Sequence, residues 1–162
     1  MKILIIGSAG HGKTTVAEIL RKDYGWTFED SSMAAARIFL FDTLKDKYGY
    51  KTIEECHADR VNHRAEWFDQ ICVYNLEDPT KLAKEILKVS DIYVGMRSST
   101  ELNACIEVEL FDLIVGVKDS RKPRESLSSN DLYIDYYADF IIRNNGDLED
   151  LRKKVKRLFA WR

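Results

Sequence analysis

The chain has 162 residues, of which 45% are hydrophobic and 32% are charged, and its formal net charge is −2. This composition excludes a disordered or collagen-like chain, and the near-neutral charge excludes a basic coat for passive nucleic-acid binding. No apolar run approaches the roughly 20 residues of a membrane-spanning helix, and the N-terminus does not read as a signal peptide. The three cysteines fit no zinc or disulfide pattern. We therefore expect one cytoplasmic domain over residues 1–162.

The hydrophobic pattern predicts strands that alternate with helices along the whole chain. A β-branched run at residues 2–6 (KILII) is typical of a buried parallel strand, and it precedes a helix that ends near Gly25. Alternation of this kind predicts the α/β class, as a three-layer α/β/α sandwich around a five-stranded parallel sheet. The other predicted strands span residues 26–29, 91–94, 111–117 and 138–142. The other predicted helices span residues 31–48 (capped by Ser31 or Ser32), 59–74, 78–89, 98–107 and about 147–159.

Residues 7–14, which we call the phosphate loop, read GSAGHGKT and fit the pattern G-x-x-x-x-G-K-[S/T] between a strand and a helix. Glycines let the backbone approach phosphate oxygens, and the amides and the helix N-terminus point at the anion. Lys13 is expected to act in catalysis by contacting the β- and γ-phosphates, and Thr14 to bind magnesium. The alternative is a turn that merely joins two elements. The predicted ATP-binding residues here are Gly7, Ser8, Ala9, Gly10, His11, Gly12, Lys13, Thr14 and Thr15, with His11 at a variable position.

Ligands of such sheets lie beyond the carboxyl ends of the strands, where two charged residues stand. Asp30 follows the second strand and is expected to accept a proton from an acceptor hydroxyl or to hold magnesium through water. Its other reading is a helix cap, although Ser31 and Ser32 are also available for that role. Arg97 follows the third strand, where many P-loop proteins carry an acidic residue. We expect Arg97 to contact a phosphate or an anionic acceptor, the alternative being a surface ion pair.

Basic residues are dense after the fourth strand, in residues 119–130, which we call the lid segment. Arg121 and Arg124 are expected to stabilise the γ-phosphoryl group, unless this run is simply a solvated face. Asp119 either replaces the missing strand-end carboxylate or serves as a turn residue. Arg121 and Asn145, which follows the fifth strand, are also expected to border the donor nucleotide.

A second polar cluster lies within the predicted helical acceptor region, residues 31–75. Arg60, His63, Arg64 and Trp67 occur at a spacing of three to four residues and are expected to share a helix face. In that arrangement Trp67 would stack on a base and the arginines would bind a phosphate. The alternative is an amphipathic surface helix with Trp67 in the core.

These motifs together resemble the P-loop deoxynucleoside monophosphate kinase-like proteins of bacteriophages. The resemblance rests on residues 7–14, Asp30, residues 94–97, residues 119–125 and residues 138–146. The layout is also similar to that of dephospho-coenzyme A kinase and thymidylate kinase. The resemblance implies ATP, Mg²⁺, a phosphoryl transfer and a closing lid, in a monomer or homodimer of the host cytoplasm.

The sequence does not decide which molecule accepts the phosphate. A deoxynucleoside monophosphate presents an ionised oxygen and needs mainly arginines, whereas an alcohol benefits from a carboxylate base, and the sequence contains both devices. Some phage relatives of thymidylate kinase phosphorylate the hydroxymethyl group of 5-hydroxymethyluracil within DNA, so DNA carrying a modified base is the alternative partner. A dephospho-coenzyme A kinase-like metabolite kinase and a P-loop ATPase switch are further alternatives.

Overall fold

One parallel sheet organises residues 1–160, which are the residues that this computed structural model describes. Its strands are β1 (Ile3–Ile6), β2 (Phe28–Asp30), β3 (Ile92–Val94), β4 (Leu113–Lys118) and β5 (Phe140–Arg143). They lie in the order β2-β3-β1-β4-β5, and every neighbouring pair is parallel. Strand β1 is central and all of its residues are fully buried, which is why it consists only of Ile and Leu. The predicted five-stranded α/β fold is confirmed.

Helices cover both faces of this sheet. The alternating side chains of β1 separate the core into two clusters, one around Leu4 and Ile6 and the other around Ile3 and Ile5. The first cluster packs on the helices of the acceptor region, and the second packs on the first and last helices of the chain. The helices are α1 (Lys13–Tyr24), α2 (Ser31–Ala35), α3 (Phe41–Tyr48), α4 (Ile53–Asp59), α5 (Arg64–Tyr74), α6 (Lys81–Leu87), α7 (Ser99–Glu107), α8 (Ile134–Tyr137) and α9 (Leu148–Leu158), with a π-helical turn at Ala36–Leu40 and a 3₁₀ turn at Arg60–Asn62.

Several predicted boundaries were wrong. The helix expected at residues 59–74 is broken, because α4 ends at Asp59 and α5 begins only at Arg64, after the 3₁₀ turn. Helix α6 begins at Lys81, two residues after Pro79, rather than at Asp78. Helices α4 and α8 were not predicted, since both are short and carry no clear apolar period. The continuous helical stretch from Ser31 to Tyr48 is confirmed, although a π-helical turn divides it.

The helix caps correct one prediction. Ser98 and Asp147 accept backbone hydrogen bonds at the starts of α7 and α9. The cap of α2 is Asp30, whose side chain accepts from the Ser32 amide, and neither serine takes that role. Within residues 1–160, no helix is long and apolar enough to cross a membrane.

Candidate active site

The backbone of the phosphate loop is folded tightly against the ends of β4 and β5. Gly7 has φ +155°, and a Cβ atom there would lie 2.5 Å from the carbonyl oxygen of Val117. Gly12 caps α1 with φ +100°, and a Cβ atom there would lie 2.4 Å from Nδ2 of Asn144. Both positions therefore require glycine, on conformation and on space. The backbone of the loop therefore packs closely on the edge of the sheet, and the loop leads directly into the N-terminus of α1.

Lys13 is buried beneath this loop. Its ammonium group donates a 2.8 Å hydrogen bond to the carbonyl oxygen of Ser8, and burial together with the nearby Arg97 charge lowers the pKa of Lys13 to about 8. Because Lys13 has a buried charge with no carboxylate in hydrogen-bond contact, an anion placed in the loop would stabilise the charged form.

A groove of about 770 Å³ opens in front of the phosphate loop, and we call it the phosphate groove. It brings together residues that are far apart in the sequence, as the strand-end argument predicted. Its charged and hydroxyl lining residues are Lys13, Thr14, Thr15, Asp30, Ser31, Ser32, Arg60, Arg64 and Arg97.

Asp30 has two different environments at its two carboxylate oxygens. Oδ1 accepts hydrogen bonds from the backbone amide of Ser32, at 2.9 Å, and from the Ser32 hydroxyl. The Ser32 hydroxyl also lies 2.9 Å from Nε2 of His57. Oδ2 makes no hydrogen bond to any residue in the described part of the chain. The cap role of Asp30 is therefore confirmed, and one carboxylate oxygen stays unpaired among the described residues at the wall of the groove, so its role in catalysis or magnesium binding stays a prediction.

Glu125, in the lid segment, is the counter-ion of two groove arginines. Its Oε1 lies 2.9 Å from Arg97 and 3.2 Å from Arg64, and its Oε2 accepts from the backbone amide of Ala9 at 2.8 Å. Only 8% of the Glu125 side chain is exposed. Burial lowers the pKa of Arg97, so this guanidinium depends on its anionic partner. The ion pair of Arg97 is therefore largely shielded from solvent and joins the lid segment to the end of β3, while the same glutamate contacts the phosphate loop at Ala9.

Arg60 completes the charge distribution of the groove. Its guanidinium donates to the carbonyl oxygen of His57 at 2.8 Å, and no carboxylate among residues 1–160 forms an ion pair with it. Burial is also the main cause that lowers the pKa of Arg60. A half-buried cation without a counter-ion, beside the buried Lys13, gives the groove a surplus of positive charge.

The lid segment is attached to the phosphate loop by several hydrogen bonds. The Lys122 ammonium donates to the Gly10 carbonyl at 2.6 Å, and the Glu125 amide donates to the Ser8 hydroxyl. The His11 ring contacts the lid segment at two points: Nδ1 accepts a hydrogen bond from the Asp119 amide, and Nε2 donates one to the Pro123 carbonyl. The expectation that His11 is merely a variable position was wrong, because its side chain joins the loop to the lid segment.

A second, narrow cavity, which we call the inner pocket, adjoins the groove. The two share Arg60, Arg64, Arg97, Gly95, Ser31 and Ser32, so these residues form the passage between them. Beyond that passage the walls are mainly apolar and aromatic, and include Trp67, Phe68, Ile71, Tyr93, Met96 and Glu101. Trp67 is 4% exposed and belongs both to the core and to this wall, so its place in the core is confirmed and its stacking on a base stays a prediction.

His63 does not share this face, contrary to expectation. Its Nε2 contacts Asp59 at 3.0 Å and its ring stacks on Tyr48, because the break between α4 and α5 turns it away from the arginines.

The two lid arginines do not reach the phosphate groove, contrary to the expected γ-phosphoryl role. Arg121 forms a bidentate pair with Asp119 and donates to the Asn144 carbonyl, and it lines a shallow cleft beside Thr15. That cleft is on the side predicted for the donor nucleotide. Arg124 donates to the Leu132 carbonyl and lies over the ring of Tyr133.

Asp119 and Asn145 serve the turns around this cleft. Asp119 accepts from the amide and guanidinium of Arg121, whose hydrogen bonds lower its pKa to about 2, and it does not line the groove. These contacts fit the interpretation of Asp119 as a turn residue. Asn145 accepts from the Ser120 amide, whereas its neighbour Asn144 donates to the His11 carbonyl and lines the cleft.

Sequence reasoning missed Glu101, Glu125, His57 and Asn144 as members of the site. Glu101 follows Ser98 by three residues, a spacing that predicts an exposed capping-box residue. In the structure it is 2% exposed and accepts a 3.0 Å hydrogen bond from the Tyr93 hydroxyl, and burial raises its pKa to about 8. At neutral pH this carboxyl group is therefore mainly protonated.

Sequence comparison gives partial matches. Cytidylate kinase from Streptococcus pneumoniae (strain 70585) is 33% identical over 90 residues, which cover 52% of this chain and 40% of that protein. A putative pterin-4-alpha-carbinolamine dehydratase from Rhizobium johnstonii is 29% identical over 68 residues, covering 42% of this chain and 64% of that protein. The chain thus matches less than two thirds of either relative. No protein-family model matches the chain.

Structural comparison covers nearly the whole chain. Shikimate kinase from Aquifex aeolicus superposes with a TM-score of 0.54 at 14% identity, over 99% of this chain and 96% of that one. Dephospho-CoA kinase from Campylobacter jejuni gives a TM-score of 0.51 at 15% identity, with the same coverage. At these identities the likeness establishes the fold. The chain shares the fold of these two kinases, a five-stranded parallel sheet covered by helices on both faces, in agreement with the fold predicted from the sequence.

The raised pKa of Glu101 predicts how the free energy of unfolding changes with pH. Between pH 4.5, the ordinary value, and about 8, the unfolded chain releases this proton and the folded chain retains it. The free energy of unfolding therefore falls as the pH rises through this window. We expect Glu101→Gln, which keeps an oxygen for Tyr93, to stabilise the protein by roughly 3 kcal/mol near pH 7 and by little at pH 4.5. Urea unfolding at both pH values measures this, and an equal effect at the two would contradict it.

Proposed function

We propose that this protein is an ATP-dependent kinase that transfers the γ-phosphate to a small anionic acceptor, namely a deoxynucleoside monophosphate. The observation that carries this proposal is the passage of three arginines between the phosphate groove and the inner pocket. An acceptor phosphate bound there would lie beside the phosphate loop, with an attached ring directed toward the aromatic walls of the inner pocket. The partial match to a cytidylate kinase agrees with this assignment.

The groove supplies the electrostatic part of phosphoryl transfer. The transferring group carries negative charge over its oxygens, so catalysis depends on positioning and on fixed positive charge. Lys13 would leave the Ser8 carbonyl to contact the donor phosphates, and Arg97 would contact the transferring group or the acceptor phosphate. Arg60 and Arg64 would bind the acceptor phosphate, Arg60 because it has no carboxylate partner among the described residues.

The groove also fits a magnesium ion, the usual companion of ATP. Thr14 is exposed to the groove and Asp30 lines the same wall, so one hydroxyl and one carboxylate are available as oxygen donors. No cluster of three or more His, Cys, Asp or Glu side chains occurs in the described part of the chain. Magnesium typically binds through one or two protein oxygens, with phosphate and water completing the set, so the residues fit. Such an ion would neutralise charge on the donor phosphates.

Asp30 supports a second candidate function, transfer to an alcohol. Its free oxygen faces the groove, and a carboxylate in that position can accept the proton of a hydroxyl group as it attacks. A metabolite hydroxyl and the hydroxymethyl group of 5-hydroxymethyluracil in DNA both belong to this class. The narrow inner pocket favours a small acceptor over a base carried on DNA. The assay is transfer of label from γ-labelled ATP to the four deoxynucleoside monophosphates, dephospho-coenzyme A, and DNA with and without 5-hydroxymethyluracil.

One test of the proposed function is the removal of the Lys13 side chain. We expect Lys13→Ala to reduce phosphate transfer at least tenfold, because the variant loses the buried charge that stabilises the transferring group. The measurement is initial rate with the preferred acceptor from that panel. Lys22→Ala, an exposed lysine of the same helix, is the matched control and should leave the rate unchanged. A Lys13→Ala rate above a tenth of the wild-type rate would refute the assigned role.

Another test separates the role of Asp30 as a helix cap from its proposed role in the reaction. Asparagine caps helices as well as aspartate does, so Asp30→Asn should keep the start of α2 intact. With an alcohol acceptor, we expect turnover to fall by roughly 100-fold while the dissociation constant for ATP stays within about threefold, since the carboxylate that would accept the hydroxyl proton is lost. Steady-state kinetics and calorimetry measure the two quantities. Asp46→Asn, at an exposed position, is the control. An unchanged turnover number would reduce Asp30 to a helix cap.

A further inference from the structure

The wall of the inner pocket contains two polar side chains, Glu101 and Trp67, whose hydrogen-bonding groups are only partly paired. Glu101 is 2% exposed, and only its Oε1 is hydrogen bonded, to Tyr93, within the described part of the chain. Nε1 of Trp67, in the same wall, is buried without any hydrogen-bond partner among residues 1–160. Buried polar groups are almost always paired, so two incompletely paired groups in one cavity indicate a ligand that completes them.

Glu101 is costly as a purely structural residue. The three-residue spacing from Ser98 would let it close a capping box at the surface, yet its side chain points into the pocket wall instead. Burial disfavours its ionised form, as its raised pKa shows, and the neutral form carries an O–H donor that Tyr93 does not use.

The order of groups along the two cavities defines what kind of molecule fits. Cations lie at the passage, and aromatic surfaces of Trp67, Phe68 and Tyr93 lie beyond it. Gly95, with φ +96°, borders both cavities. At this point the passage is therefore lined by backbone atoms and not by a side chain. A nucleoside monophosphate has a matching order: an anionic group, a compact sugar, and a flat ring with polar edges.

We infer that Glu101 recognises the acceptor base, its carboxyl group donating a hydrogen bond to a carbonyl oxygen or ring nitrogen of a nucleobase bound in the inner pocket. This inference rests on the proposed function, because the arginine passage is what places the phosphate and hence the ring. Trp67 offers a second donor, through Nε1, to the same ring edge. Glu101 is thus a specificity residue, remote from the transferring phosphate.

Two substitutions of Glu101 test this inference. Glu101→Met keeps the volume and removes the hydrogen bond, and Glu101→Gln keeps a neutral donor and acceptor. We expect the methionine variant to bind the preferred deoxynucleoside monophosphate at least tenfold more weakly, with ATP affinity unchanged, and the glutamine variant to stay within about threefold of wild type. Glu107→Met, exposed on the same helix, is the matched control. Calorimetry with each of the four monophosphates measures binding, and γ-labelled ATP measures transfer.

A ring-free ligand, 2-deoxyribose 5-phosphate, completes the design. It should bind the wild type weakly and should not distinguish the wild type from Glu101→Met. Equal binding of the preferred monophosphate by wild type and Glu101→Met would overturn the role of Glu101, even if transfer occurs and the proposed function stands. Binding that is sensitive to Glu101 without any transfer would support the inference and refute the proposed function. Failure of the wild type to bind any of the four monophosphates would overturn both.

Discussion

Positive charge concentrated at the carboxyl edge of a parallel sheet is the constraint on which the site depends. Lys13, Arg60, Arg64 and Arg97 converge there, and Glu125 balances only two of them directly. Burial lowers the pKa of Lys13, Arg60 and Arg97, so each of these cations is held at a cost in free energy. Such an arrangement is favourable only with anions in place, and the phosphate loop offers the backbone amides that bind them.

The lid segment takes part in this charge balance through one side chain. Glu125 joins Arg64 and Arg97 to the amide of Ala9, while His11 and Lys122 hold the two sides of the segment to the loop. An anion that enters the groove competes with Glu125 for the same arginines. Substrate binding and movement of the lid segment are therefore expected to be coupled, since one carboxylate takes part in both.

The phosphate loop and the sheet were predictable from the sequence because both depend on local signals. A β-branched strand, a glycine-rich turn with Lys13 and a helical period follow one another without interruption, and the strand-end rule then placed Asp30 and Arg97 at one edge. Of the four residues predicted to share one face, Arg60, Arg64 and Trp67 line the same pocket and His63 does not, because the helix is broken before Arg64.

The remaining members of the site depend on tertiary contacts that no local pattern encodes. Glu125 lies in a run of basic residues whose sequence indicates only a solvated loop, and its function follows from a contact with Ala9, which is 116 residues away. Arg121 and Arg124 looked equally suited to the groove, but Asp119 pairs with the first and Tyr133 and Leu132 hold the second. Glu101 follows a capping-box spacing and turns inward only because Tyr93 and the pocket are there.

A crystal structure with a non-hydrolysable ATP analogue and magnesium tests the central claim most directly. The triphosphate should lie along the phosphate loop, with the Lys13 ammonium moved from the Ser8 carbonyl to the phosphate oxygens. An analogue bound elsewhere, with Lys13 still on Ser8 and the loop empty, would contradict the account.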